Sequence, residues 1–134
     1  MVKEGARGRC LCGAVRFTVA SEPMWTALCH CDSCRRSGSA AVVPWMGFAP
    51  EDVSWTGART FFKSSDIAQR GFCGTCGTQM SFESTRWPGE VHLCATTLED
   101  PSSYEPQLHC HTAEHLHWLK IEDGLPRFER SAEP

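Results

Sequence analysis

Along the chain the apolar positions alternate in short runs and never hold a helical period for long. Ala14-Val15-Arg16-Phe17-Thr18-Val19 alternates small or apolar with polar residues and is rich in β-branched types, the pattern of a half-buried strand. Ala40 to Trp45 is a second strand candidate, stopped by Pro44 and Gly47. Val53-Ser-Trp-Thr56 and Thr60-Phe-Phe-Lys63, on either side of Gly57, read as a hairpin. Met80 to Glu83 and Glu90 to Cys94 read as another pair, across Trp87-Pro88-Gly89. The one short helix expected covers Ser33 to Ser37, with Asp32 as its cap. From Asp100 the sequence turns irregular, with Pro101 and Pro106 and then His109, Cys110, His111, His115 and His117. The prediction is a mainly β protein with long loops, held together by something besides its hairpins.

Length and composition narrow this picture. At 134 residues the chain fits one domain, 1–134, able to bury about two thirds of the surface its unfolded form exposes. Hydrophobic content of 41% and charged content of 22% are those of an ordinary globular protein. A net charge of −3 supplies no basic footprint for nucleic acid, which is not expected as a partner. The longest apolar stretch, Ala40 to Ala49, is too short to span a bilayer, and the first residues have no apolar core of a secretory signal. A cytoplasmic location is therefore expected, with no membrane partner. The sequence carries no signal for the oligomeric state.

Nine cysteines then need an explanation. In a reducing compartment disulfides do not persist, so dense cysteine points to metal ligation or thiol chemistry. Cys10-Leu-Cys12-Gly13 and Cys73-Gly-Thr-Cys76-Gly77 each offer two thiolates from a tight turn. Together they make a set of four, suited to a closed tetrahedral zinc. Such a site clamps the first strand to a loop some sixty residues away, and its binding energy counts as folding energy. The middle cluster, Cys29-His30-Cys31-Asp32-Ser33-Cys34, brings three thiolates within six residues. These suit three corners of a second zinc site whose open fourth corner is what catalysis needs; the alternative is a closed structural site completed by His30, Cys94 or a histidine of the C-terminal cluster. Arg35 and Arg36 add positive charge beside it, suited to a carboxylate-bearing ligand. The histidines from 109 to 117 read as loop residues, and Trp45, Trp55, Trp87 and Trp118 as core or pocket wall.

Three blocks carry a resemblance. Gly8-Arg-Cys10-Leu-Cys12-Gly13-Ala-Val-Arg-Phe17, Cys29-His-Cys31-Asp-Ser-Cys34-Arg35-Arg36-Ser-Gly38 and Arg70-Gly-Phe72-Cys73-Gly-Thr-Cys76-Gly77 resemble the signature blocks of the glutathione-dependent formaldehyde-activating enzyme family. Leu98-Glu-Asp100-Pro101, Trp118 and Asp123-Gly-Leu-Pro126-Arg-Phe128 resemble its ending. The resemblance implies an Mss4-like fold of twisted antiparallel sheets organised around zinc. It implies two zincs per chain, a structural one at Cys10, Cys12, Cys73 and Cys76 and a catalytic one at Cys29, Cys31 and Cys34. It also implies a carbon–sulfur lyase that joins glutathione, as co-substrate, to formaldehyde as S-hydroxymethylglutathione, with Arg35 or Arg36 holding a glutathione carboxylate. A small thiol and an aldehyde are the partners so implied. Ala95-Thr96 and Leu98-Glu99-Asp100 depart from the family's Ala-Gly and Leu-Asp-Asp-Pro and bear on a pocket wall. Two other classes remain open from the residues alone: a protein-binding zinc module, and a thiol redox or zinc-buffer protein.

Overall fold

The computed structural model describes residues 1–131. Its strands are β1 (Arg7–Arg9), β2 (Arg16–Val19), β3 (Trp25–Cys29), β4 (Val43–Phe48), β5 (Val53–Thr56), β6 (Thr60–Lys63), β7 (Ala68–Phe72), β8 (Gln79–Ser84), β9 (Val91–Cys94) and β10 (His109–Cys110). Among the described residues one α-helix, α1 (Asp32–Gly38), follows β3. The strands form a three-stranded sheet ordered β1-β2-β5 and a seven-stranded sheet ordered β10-β3-β4-β9-β8-β7-β6. The mainly β class expected from the alternating pattern is what forms. All pairings between named strands are antiparallel except the edge pair of β10 with β3, which is parallel.

β2 shows why the alternation was legible: Arg16 and Thr18 are exposed while Phe17 and Val19 are buried. Phe17 and Val19 meet Met46, Phe48, Met80 and Leu93 in one core that joins the two sheets, and these side chains are at most 2% exposed. Each contributes about 1.5–3 kcal/mol by leaving water. β8 and β9 pair as expected, Ser81 opposite Leu93 and Phe82 opposite His92.

The hairpin expected of Val53–Thr56 with Thr60–Lys63 does not form. Both segments are strands, but β5 pairs with β2 and β6 with β7, in different sheets. Gly57 turns the chain away at φ +82°, and a Cβ there would collide with the Ala14 carbonyl oxygen. β5 is held instead through Trp55, edge-on to Phe17 at 5.6 Å. Arg59 bridges the divergence, its guanidinium 4.0 Å from the Trp55 ring and 4.8 Å from that of Phe61, with Glu83 at 3.0 Å. The expected strand from Ala40 begins only at Val43 and runs through Pro44 and Gly47 to Phe48. Gly47 sits opposite Trp25, whose indole occupies the space a side chain would need.

The helix lies where expected, but its cap is Cys31 rather than Asp32. The Cys31 sulfur accepts a hydrogen bond from the Cys34 amide at 3.3 Å, and Asp32 is the first helical residue, its carboxylate at the positive end of the helix. Ser39, in the left-handed region at φ 49°, ends α1. Among the described residues no helix is long and apolar enough to cross a membrane.

Candidate functional site

The two sequence knuckles meet across the sheets. Cys10 and Cys12 lie in the turn between β1 and β2, and Cys73 and Cys76 in the turn between β7 and β8. Backbone amides point at the sulfurs, Val15 to Cys10 at 3.3 Å and Cys76 to Cys73 at 3.4 Å, and the Leu11 amide reaches the Thr78 hydroxyl of the other knuckle at 3.1 Å. The sulfurs of Cys10 and Cys12 stand 3.6 Å apart and those of Cys12 and Cys73 3.7 Å, with all four mutually within 4.8 Å. Four thiolates around a tetrahedral zinc are spaced by about 3.8 Å, so the donor set fits that ion as it stands. The Thr78 hydroxyl and amide hold the Cys76 thiol down at about 5, a thiolate at neutral pH.

The middle cluster is built by a strand end and a helix start. Cys29 closes β3, Cys31 caps α1 and Cys34 lies in its first turn. Their sulfurs lie within 4.8 Å of one another, Cys29 and Cys34 at 3.6 Å. This donor set also suits zinc, with three protein corners. The Cys34 thiol is held down to about 2, first by hydrogen bonds from Cys29 and Cys31 and then, against the cost of burial, by the Arg70 charge.

All three cysteines line a cavity of about 410 Å³ whose other walls include Trp25, Trp45, Phe82, Trp87 and Leu108. The walls are fixed by a shared carboxylate: Glu90 accepts from the Trp25 indole at 2.9 Å and from the His92 ring at 3.0 Å. A larger open depression of about 650 Å³ lies by Lys63, Asp66 and Pro88 and contains no thiol.

The cation of the cavity is one that sequence reading passed over. Arg70, 7% exposed, reaches the Cys34 sulfur with both terminal nitrogens at 3.8 Å and donates to Ser37 Oγ at 2.9 Å. Its guanidinium lies 4.8 Å from the Phe82 ring. Arg35 and Arg36 are placed elsewhere. Arg35 donates to the carbonyls of His30 and Glu114, both at 3.1 Å, and Arg36 takes both Asp32 oxygens at 3.0 Å. Both face an outer depression with Leu116 and Trp118 instead of the cavity. Adjacency in sequence drew attention to them, whereas Arg70 reaches the cysteines from a strand over thirty residues away. Its one sequence signal was its place ahead of Phe72-Cys73.

The suggested fourth ligands separate. Cys94 is buried against the Thr96 hydroxyl at 3.3 Å, and burial pushes its thiol up, as in a neutral side chain. His30 turns away from the cavity into a buried chain: its Nε2 lies 2.8 Å from His109 Nδ1, and His109 Nε2 lies 2.8 Å from Asp123 Oδ2. The carboxylate must accept, so His109 carries its proton on Nε2 and takes the His30 Nε2 proton on Nδ1. Burial and the neighbouring ring hold His30 down at about 4, hence neutral. Cys110 and His111 do approach the cluster, forming with Cys29 a second close group of donors.

The Asp123 carboxyl is held below its usual value, first by His109. A depressed folded-state value means that the contribution is complete above the ordinary 3.8 and fades only as pH falls through the lower folded value. Asp123→Asn should lower the urea midpoint, by the same margin at pH 5 as at pH 7. A margin that shrinks across that range would show that Asp123 is not the group responsible.

The sequence pattern of the family described as "Glutathione-dependent formaldehyde-activating enzyme" (GFA) matches residues 5–114. A Halomonas elongata protein named "Putative glutathione-dependent formaldehyde-activating enzyme" is 29% identical over 125 residues, covering 86% of this chain and 80% of the relative. A protein of Schizosaccharomyces pombe named as an uncharacterized lyase is 35% identical over 81 residues, 58% of this chain and 57% of the relative. A crystal structure of a Rhodobacter sphaeroides protein superposes with a TM-score of 0.60 at 27% identity, over 75% of this chain and 91% of that one. With its three cysteine blocks and its sheets in place, the chain belongs to the glutathione-dependent formaldehyde-activating enzyme family.

Proposed function

We propose that this protein is a zinc-dependent carbon–sulfur lyase that forms and cleaves the adduct of glutathione with formaldehyde, S-hydroxymethylglutathione, at the cavity lined by Cys29, Cys31 and Cys34. The observation that carries the reading is that three thiol side chains converge on one wall of a cavity whose other walls are largely aromatic. Cys29, Cys31 and Cys34 would hold a zinc there, and zinc when bound supplies a cationic ligand position that favours a thiolate over a thiol at neutral pH. Cys10, Cys12, Cys73 and Cys76 would hold the structural ion.

The chain's own residues set the rest. Arg70 places one positive charge against the Cys34 sulfur, offsetting part of the repulsion among the three thiolates. Trp25, Trp45 and Phe82 line the cavity with the thiols and exclude water from it, which strengthens charge interactions inside. In the reaction the substrate sulfur forms a bond to the aldehyde carbon, the carbonyl π pair moves to oxygen, and the thiol proton ends on that oxygen. Holding both reactants in one cavity removes the entropic cost of their encounter.

The test is exchange NMR of glutathione with formaldehyde, with and without the zinc-loaded protein. Exchange between free and S-hydroxymethyl glutathione should accelerate at least about tenfold over the spontaneous rate at micromolar protein, consistent with proximity catalysis. An unchanged exchange rate overturns the reading and favours the protein-binding or zinc-buffer classes.

A further inference from the structure

We propose that Cys29, Cys110 and His111 form a third cation site for a zinc-class ion, adjoining the Cys29–Cys31–Cys34 set through the shared Cys29 sulfur.

The fold builds this triad deliberately. β10 runs parallel to β3, and Cys110 is the register partner of Cys29, so the two side chains leave the same face of adjacent strands. His111 follows in the left-handed region at φ 55° and ψ 38°, a conformation that costs a side-chain-bearing residue energy and is kept where surroundings impose it. That backbone turn lets consecutive residues aim their donors at one point: the Cys29 and Cys110 sulfurs and a His111 ring nitrogen lie within 4.8 Å of one another. Cys110 and His111 both line the cavity. Glu114 stands beside the triad, its carboxylate 3.9 Å from His111 Nδ1 and 3.3 Å from the Asp32 amide of α1.

The triad does not simply complete the first set. Among the described residues the two groups share Cys29 but do not merge into four mutually close donors. A thiolate sulfur has lone pairs enough to bridge two cations, and two sulfurs with an imidazole are a zinc-class donor set.

Charge favours a second ion as well. One dication among the thiolates of Cys29, Cys31 and Cys34, with Arg70 and the Glu90 carboxylate, leaves the cavity one charge negative before any substrate thiolate enters. Two dications, the four thiolates of Cys29, Cys31, Cys34 and Cys110, Arg70 and Glu90 sum to zero, so a substrate thiolate enters a neutral cavity. In a cavity with aromatic walls, leaving a net charge unbalanced is costly.

The inference goes beyond the proposed lyase reading and needs no glutathione or aldehyde for its test, so the two can fail separately. The full chain is stripped of metal under reducing conditions, refilled with zinc and desalted, and zinc per chain is read by native mass spectrometry. The wild-type protein should carry three zincs. Cys110→Ser and His111→Asn should each carry two; serine keeps the size of the side chain and asparagine tolerates the left-handed backbone, so both should fold. Cadmium NMR of the refilled wild-type protein should give three resonances, one of which disappears in either variant. Two zincs in the wild-type protein, or three retained in both variants, would overturn the proposal.

Discussion

Cys73→Ser should lower the melting temperature by about 15–20 °C or abolish the cooperative transition, measured by circular dichroism on zinc-loaded protein. Cys73 is 1% exposed and sits within the core that joins the two sheets, so an uncoordinated serine hydroxyl there has no water to turn to. Structural zinc sites bind with apparent energies of about 10–16 kcal/mol, and that energy appears as folding stability. A domain's total stability is only about 5–15 kcal/mol. Weakening one of four ligands should cost on the order of 5 kcal/mol, which at about 3–4 °C per kcal/mol gives the stated shift. Cys94→Ala is the control, since Cys94 is also buried but belongs to none of the close donor groups; it should cost about 1 kcal/mol. Equal losses in the two variants would mean that burial, not coordination, makes Cys73 important.

Cys31→Ser should do the opposite: retain the fold and lose the chemistry. Cys31 is half-buried, at the start of α1, and its structural duty is to accept the Cys34 amide. Serine performs that duty at least as well, being among the preferred helix caps. The melting temperature should therefore stay within about 3 °C of wild type, while exchange between glutathione and its formaldehyde adduct slows at least about tenfold, back to the spontaneous rate. Elemental analysis should show one zinc fewer per chain, that of the Cys29–Cys31–Cys34 set, with the zinc of Cys10, Cys12, Cys73 and Cys76 retained. A Cys31→Ser protein that unfolds as readily as Cys73→Ser would end the distinction between a structural and a functional site.

The parts of the molecule legible in sequence are those whose logic is local. Cys10-Leu-Cys12-Gly13 and Cys73-Gly-Thr-Cys76-Gly77 announce themselves because a turn that presents two thiolates needs short spacing and glycine, and Gly13 and Gly77 do take positive φ. β2 was visible because one of its faces meets solvent. β3 was not: Trp25 to Cys29 is buried or half-buried throughout, so its residues show no alternation. β7 was hidden for the opposite reason, since Ala68-Gln-Arg-Gly-Phe carries a buried arginine whose partners are Cys34, Ser37 and Gln79. The pairing of β5 and β6 failed because sequence proximity suggests a hairpin, whereas the packing of Trp55 on Phe17 and the stacked Arg59 decide the partners. The cavity depends on contacts of this long-range kind, so Arg70 could be placed near the cysteines only by the fold, and only the fold singles out Cys110 and His111 from the C-terminal cluster already offered as a source of ligands.

The parallel pairing of β10 with β3 also sets an order of events at the ribosome. A chain emerging from its N-terminus presents Cys10, Cys12, Cys73 and Cys76, and hence everything needed for the closed four-cysteine site, before residues 109 and 110 exist. Cys29, Cys31 and Cys34 emerge early too, but the β3 edge beside them stays unpaired until β10 arrives. The nascent protein thus spends part of its synthesis with one metal clamp able to close and a cluster of exposed thiols beside an open strand edge, a species prone to oxidation and to association with its neighbours. The last stretch of the chain is what ends that exposure.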